Sequence, residues 1–453
     1  MQSDPPTAPL KSSATAVFLP QSRFSVMTRL CPILFFIGYL NFTVLLFIAG
    51  PWQWPVQDGT KLYIFLAFAH IALLGGYLSA AFDPPRGYSQ RFPFYKVATW
   101  TMLINVALLL PTAAFRTGSF LPDVGEALRD PGTVYTETMA LRDSSTPVVE
   151  YIRMLVGPFT ALLLPVAVFY WRHLRWSIRI LAVIAIFGTI LLFIAMGTNK
   201  AIADTALMFP FLVVASHMSG VGRLSLKKLA IGAATALLFF SLFLGFFTST
   251  MMTRSGSIAF AGYFPALGLH ADLNNFMIKD APPLVQVGAV GLDSYVTQGY
   301  YALYLSLEEP FVPMFGIGNS IFLTHQAVRL TDHQDIWKLS YPARIERSGW
   351  DAMALWSSIY PWIASDFSFP GTILVVFLIG RLFALSWLDT LDGTNPFAVA
   401  VFAQFVIMIF YFPANNQLLQ FGEGLTGFLG TLILWGITRR PYHRFAALAP
   451  VLG

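Results

Sequence analysis

Of the 453 residues, 56% are hydrophobic and only 11% charged, with a formal net charge of +5. Soluble globular chains carry about a quarter charged residues, so this composition, with a mean hydropathy of +0.64, excludes an ordinary soluble domain. The apolar residues stand in solid blocks with the cations between them, which makes the surplus positive charge anchoring charge and excludes a nucleic-acid surface.

In chain order, residues 1–28 are polar and read as a cytoplasmic tail. They lack a short apolar core with a small-residue cleavage site, so the first span is expected to be the insertion signal. Apolar blocks follow at about 30–50, 60–82, 97–115, 152–171, 178–196, 201–217 and 229–250, giving seven spans over 29–250. A helix needs about 20 apolar residues to cross a bilayer, and these runs are too long and uniform for barrel strands. A stretch of about 120 residues, 251–370, separates them from three more blocks at 371–388, 397–412 and 419–437. A tail, 438–453, closes the chain. The expectation is an all-α polytopic bundle of about ten transmembrane helices.

The cations give the orientation. With a cytoplasmic N-terminus, the inner segments hold Lys11, Arg23 and Arg29, then Arg86, Arg91 and Lys96, then Arg172, Arg175 and Arg179. Arg223, Lys227 and Lys228 follow, and Arg439, Arg440 and Arg444 end the series. The outer short loops hold few cations, as the positive-inside rule requires. An even span count puts both termini in the cytoplasm and 251–370 outside. That outer stretch is rich in aromatic and apolar residues. Leu292, Val296, Tyr300, Leu303 and Leu307 recur at helical steps over 291–309, and Met314, Ile317, Ile321 and Val328 do so after Pro313. Both are expected as short amphipathic helices at the interface, roofing the spans.

The single cysteine, Cys31, permits no disulfide framework. No phosphate-cradling glycine loop, HExxH or Cys/His cluster occurs, so neither a metal nor a cofactor is expected.

Several patches resemble the Wzy-type oligosaccharide repeat-unit polymerases of bacteria, the membrane enzymes that assemble O-antigen and exopolysaccharide. They are YVTQGYYALYLSLEEPFVPMFGIGNS (295–320), SYPARIE (340–346), WIASDFSFPGTILVVFLIG (362–380) and the short GTNKAI (197–202). Some members carry an Arg, ten residues and a Gly in their outer loops; here Lys338 and Gly349 hold that spacing. The resemblance implies a polysaccharide-biosynthesis glycosyltransferase of the inner membrane, metal-independent and inverting. Donor and acceptor would both be oligosaccharides on undecaprenyl diphosphate, with membrane lipids and a chain-length regulator as further partners.

Such a reaction needs cations on the diphosphate leaving group, a base for the acceptor hydroxyl and aromatic surfaces for sugar faces. Arg344 and Lys200 are the first choices for the diphosphate, with Arg153, Arg254 and Arg347 as further contacts. The competing reading for each is an ordinary snorkelling anchor. Asp366, just outside the eighth span, is the favoured base. Glu423, Asp293, Glu346, Asp351, His325 and His333 are alternatives, and a solvated cap is the plainer role for any of the carboxylates. Trp350, Trp356, Tyr360 and Trp362 are candidates for a sugar platform or equally for the interfacial aromatic belt. Three classes compete: the polymerase or a closely related O-antigen ligase-like transferase, a transporter or flippase of lipid-linked sugars, and a sensor or scaffold. Span centres nearly free of charge, Arg381 excepted, disfavour transport.

Overall fold

The computed structural model describes residues 24–87, 93–144, 148–222 and 262–439, with isolated positions between 232 and 248. The chain is mostly helical. The helices are α1 (Val26–Ala49), α2 (Thr60–Leu78), α3 (Phe94–Thr117), α4 (Val124–Arg129), α5 (Pro131–Ser144), α6 (Val148–Leu155), α7 (Gly157–Phe169), α8 (Trp176–Ala195) and α9 (Lys200–Met218). After an antiparallel pair, β1 (Tyr263–Phe264) and β2 (Leu269–His270), come α10 (Pro283–Ser306), α11 (Ile321–Thr331), α12 (Tyr341–Arg344), α13 (Ile359–Asp392), α14 (Pro396–Phe410) and α15 (Gly422–Thr438).

Among the described residues, α1, α2, α3, α8, α9 and α13 are each long and apolar enough to cross a bilayer. The pair α6–α7, bent by 60° at Val156, makes a seventh if it counts as one span. The chain is thus a multi-pass membrane protein by its helices. The expected span at 229–250 lies outside the described residues, apart from isolated positions. The expected spans at 397–412 and 419–437 are helical but short: α14 has 15 residues and α15 has 17, which at 1.5 Å per residue gives about 22–26 Å. Every residue of α14 from Pro396 to Ile409 is buried. A helix apolar on all sides belongs in a core, and α14 is the post around which α7, α9, α13 and α15 pack.

Two features fix how helices meet. Gly76 of α2 lies on the Phe377 carbonyl of α13, and Gly380 of α13 lies on the Leu73 carbonyl of α2. A Cβ at either position would overlap the facing backbone, so the two helices approach as closely as bare backbone allows. Within α13, Ser368 leaves helical geometry (φ 62, ψ 168). Pro370 lacks the N–H that would continue the ladder and crowds the residues before it. The break separates a buried first part, 359–366, from the apolar length that matches the expected span at 371–388.

The bundle has two distinct ends. Where α1 finishes and α2 begins lies the loop end; where α2 finishes, with the starts of α1 and α14 and the last turns of α13 and α15, lies the opposite end. Helix α10 begins eight residues before the expected 291. Trp52, just past α1, donates to the Val290 carbonyl (2.9 Å), and Glu308, just past α10, pairs with Lys61 at the start of α2 (2.9 Å). Both contacts are at the loop end, so α10 lies across that end. Between them it dips one or two turns down α1, where Tyr300 meets Thr43 (2.9 Å). The stretch after Pro313 is helical only from Ile321, with Ser320 as its N-cap. Residues 314–320 form a loop instead, in which the Gly316, Gly318 and Asn319 amides donate to a side chain, that of Asp366, rather than to helical carbonyls.

Candidate active site

The described cations expected to hold a diphosphate fall into three separate sets at the loop end. In the first, Arg153 of α6 grips Glu423 of α15 bidentately (2.9 and 2.7 Å) and donates to Thr112 Oγ1 (3.0 Å). Arg116, at the end of α3, grips Glu150 in the same way (2.8 and 3.1 Å). It also approaches Glu423 at 3.8 Å. Helix α6 is short and strongly two-faced: Glu150 and Arg153 turn into this network while Val148, Ile152 and Leu155 are exposed. Two cations and two anions cancel, as buried charges must.

The second set is the pair Lys200–Asp204 (2.9 Å), one turn apart at the start of α9. The third surrounds Arg344, at the end of α12. Its Nη1 donates to the Pro310 carbonyl, and its guanidinium lies over the Tyr341 ring at 4.5 Å. Glu309 is 3.9 Å away and is held more tightly by Arg347. The Arg344 side chain is 12% exposed, yet Nε and Nη2 are buried without a partner among the described residues. No hydrogen bond or ion pair among the described residues links Arg344, Lys200 and Arg153 to one another. Arg254 lies outside the described residues.

The structure gives Asp366 a different task from the expected one. Its Oδ1 accepts from the Gly316 and Gly318 amides (2.8 and 2.9 Å), and its Oδ2 from the Asn319 amide and Nδ2 (2.9 and 2.7 Å). Four donors occupy the carboxylate, so it has no lone pair free to accept a substrate proton. Asp366 clamps the 314–320 loop, and this loop presents Phe315, 89% exposed at φ 53. The neighbouring Ser365 supports the same region: its Oγ accepts from the Tyr341 amide (3.0 Å) and its carbonyl from Met314 (3.0 Å). The first part of α13 therefore holds both the loop and the residue that backs Arg344.

The aromatic platform also needs correction. Trp350, Tyr360 and Trp362 are at most 1% exposed, so none offers a face to a sugar. Trp350 packs with Trp54, Phe264 and Tyr301 in a core that joins the hairpin, α10 and the α1–α2 connection. Trp356 alone of the four keeps exposed surface, edge-on to Tyr295 at 4.4 Å. An aromatic residue that lines an open hollow is Trp337, which sequence reasoning passed over. With Glu346, Gly349, Asp351 and Met353 it lines an open hollow beside the turn that carries Arg344.

Asp293 lies inside the α1–α10 packing. It is 5% exposed, and neither carboxyl oxygen completes a hydrogen bond. Burial pushes its carboxyl up to about 7, partly offset by the Trp52 amide. His325 is half-buried and its ring is held below the ordinary histidine range by burial. Glu309, Glu150 and Arg116 were also missed as site residues; each ends or begins a helix, where a charge reads as a cap. Among the described residues no group of three His, Cys, Asp or Glu side chains is placed to hold a metal. No protein-family model, curated protein or solved structure matches the chain.

Proposed function

We propose that this chain is a membrane glycosyltransferase that polymerises undecaprenyl-diphosphate-linked oligosaccharide repeat units. In this reading it sits in the bacterial inner membrane with ten spans, the seventh within 229–250. Both termini are cytoplasmic, and the loop end faces outward.

The observation that carries the reading is Arg344. Every other described arginine or lysine of the expected diphosphate set is already matched by a carboxylate: Lys200 by Asp204, Arg153 by Glu423, Arg347 by Glu309. Arg344 shares Glu309 at a distance and keeps two buried N–H donors unused. An unsatisfied guanidinium donor in a buried setting is costly, and its planar fork suits two phosphate oxygens. A diphosphate on a polyprenyl tail stays at the level where spans end, which is where α12 lies. The leaving group gains negative charge as its bond to the sugar breaks, so a fixed guanidinium there favours the transition state.

The experiment is the polymer ladder on a gel from cells carrying Arg344→Ala at matched protein level. The expected loss is on the order of 100-fold or more in polymer formed, with partial recovery in Arg344→Lys, which keeps the charge without the fork. An unchanged ladder from Arg344→Ala would remove the assignment.

A further inference from the structure

Resting on that reading, we propose that the hollow beside Arg344 holds the acceptor sugar and that Glu346 is the carboxylate that takes its proton. The transfer needs a base close to the diphosphate, because the attacked carbon is bonded directly to a phosphate oxygen. Several of the described carboxylates at the loop end are already committed. Asp366 has all its lone pairs filled. Glu309 is held by Arg347 and Arg344, Glu423 and Glu150 by Arg153 and Arg116, and Asp204 by Lys200. Glu308 pairs with Lys61, and Asp293 is enclosed. Asp351 spends one oxygen on the Met353 amide (2.8 Å).

Glu346 is exposed, its carboxylate has no hydrogen bond or ion pair among the described residues, and it lines the hollow together with Trp337. It stands two residues after Arg344, in the tight turn Ile345–Ser348 that follows α12 directly. The backbone therefore keeps Glu346 within two residues of Arg344, whose guanidinium holds Pro310 and Tyr341 and leaves Nε and Nη2 without a partner among the described residues. Trp337, half-buried with His325 and Trp362 behind it, offers the flat apolar surface that a pyranose ring stacks on.

The step balances within these groups. The acceptor hydroxyl oxygen forms a bond to the anomeric carbon of the donor as its proton passes to the Glu346 carboxylate. The bond from that carbon to the phosphate oxygen breaks with its electron pair, and undecaprenyl diphosphate leaves with its new charge facing Arg344. Attack from the side away from the leaving group inverts the anomeric centre. The sugar accepted in the hollow is of the neutral or amino class, since Glu346 and Asp351 repel an acidic one.

The test uses the purified full chain in proteoliposomes with undecaprenyl-diphosphate-linked repeat units. Glu346→Gln is expected to lower kcat on the order of 100-fold or more, with KM unchanged. Glu346→Asp should recover part of the rate, and Trp337→Ala should raise KM. Wild-type turnover in Glu346→Gln, or a loss confined to KM, overturns the proposal. Those outcomes leave the polymerase reading standing, because it falls only if Arg344→Ala makes normal polymer.

Discussion

The two ends of the bundle differ in how many buried polar groups they satisfy. At the opposite end Asp389, fully buried, is saturated: Arg439 donates from Nε (2.6 Å), Trp435 from Nε1 (2.9 Å) and the Arg86 amide from the α2–α3 connection (2.7 Å). Arg29 there donates to the carbonyls of Ala81 and Asp83 (3.2 and 3.1 Å). At the loop end, buried atoms without a partner among the described residues collect: Arg344 Nε and Nη2, both Asp293 oxygens, the indole nitrogens of Trp350 and Trp362, Tyr360 Oη and Asn416 Oδ1. Folding tolerates few such groups, since each costs about 1–3 kcal/mol. Thr390 Oγ1, in the last turn of α13, also lacks a partner among the described residues, so the ends differ in how many groups stay unmet, and the proposed function uses the end with more of them.

That contrast can be broken at its firmest point first. Arg439→Ala leaves Asp389 as a lone buried charge and is expected to cost about 3–5 kcal/mol, read as a lowered unfolding midpoint in detergent. Turnover per folded molecule should not change. If activity falls while the midpoint holds, the opposite end is not merely structural. A middle-sized effect belongs to the clamp. Asp366→Asn loses the charge that four donors share and should cost about 1.5–3 kcal/mol. It appears as amide exchange at Gly316, Gly318 and Asn319 faster by on the order of 10-fold or more; unchanged exchange would refute the clamp.

The smallest effect sharpens the loop end itself. Asp293 binds its proton more tightly folded than unfolded, so the folded chain loses stability as pH rises from about 4, the ordinary carboxylate range, to about 7. Above that the loss is constant. Asp293→Asn has no such slope, so its stability relative to wild type should rise between pH 4 and pH 8. Parallel stability curves for the two proteins would show that Asp293 is ionised and satisfied.

Much of the framework was legible because a bilayer demands long apolar runs, and nothing else in a sequence looks like them. The starts of α2 and α14 fell at the expected residues or one away for that reason. What could not be read is burial within the loop end. Trp350 and Trp362 carry the same residue signal as an interfacial belt or a sugar platform, and only packing against Trp54, Phe264 and Trp337 decides. Asp366 looked free because its donors lie about fifty residues earlier, in a glycine-containing loop that reads locally as part of a helix. Arg344 was legible as a cation in an aromatic stretch, but its half-met state depends on Glu309 and Pro310, contributed by a different element.

The short connection between α14 and α15 has a consequence for biosynthesis. Ile359 donates to the Phe412 carbonyl (3.0 Å), Phe322 to the Gln420 carbonyl (3.0 Å), and Asn416 Nδ2 to the Asn319 carbonyl (2.6 Å). Gly299 lies on the Pro413 carbonyl. The region around Arg344 thus takes its final form only after residues near 412–420 have been made and threaded. A nascent chain halted before that point would hold the earlier helices and still lack the contacts that finish the region around Arg344.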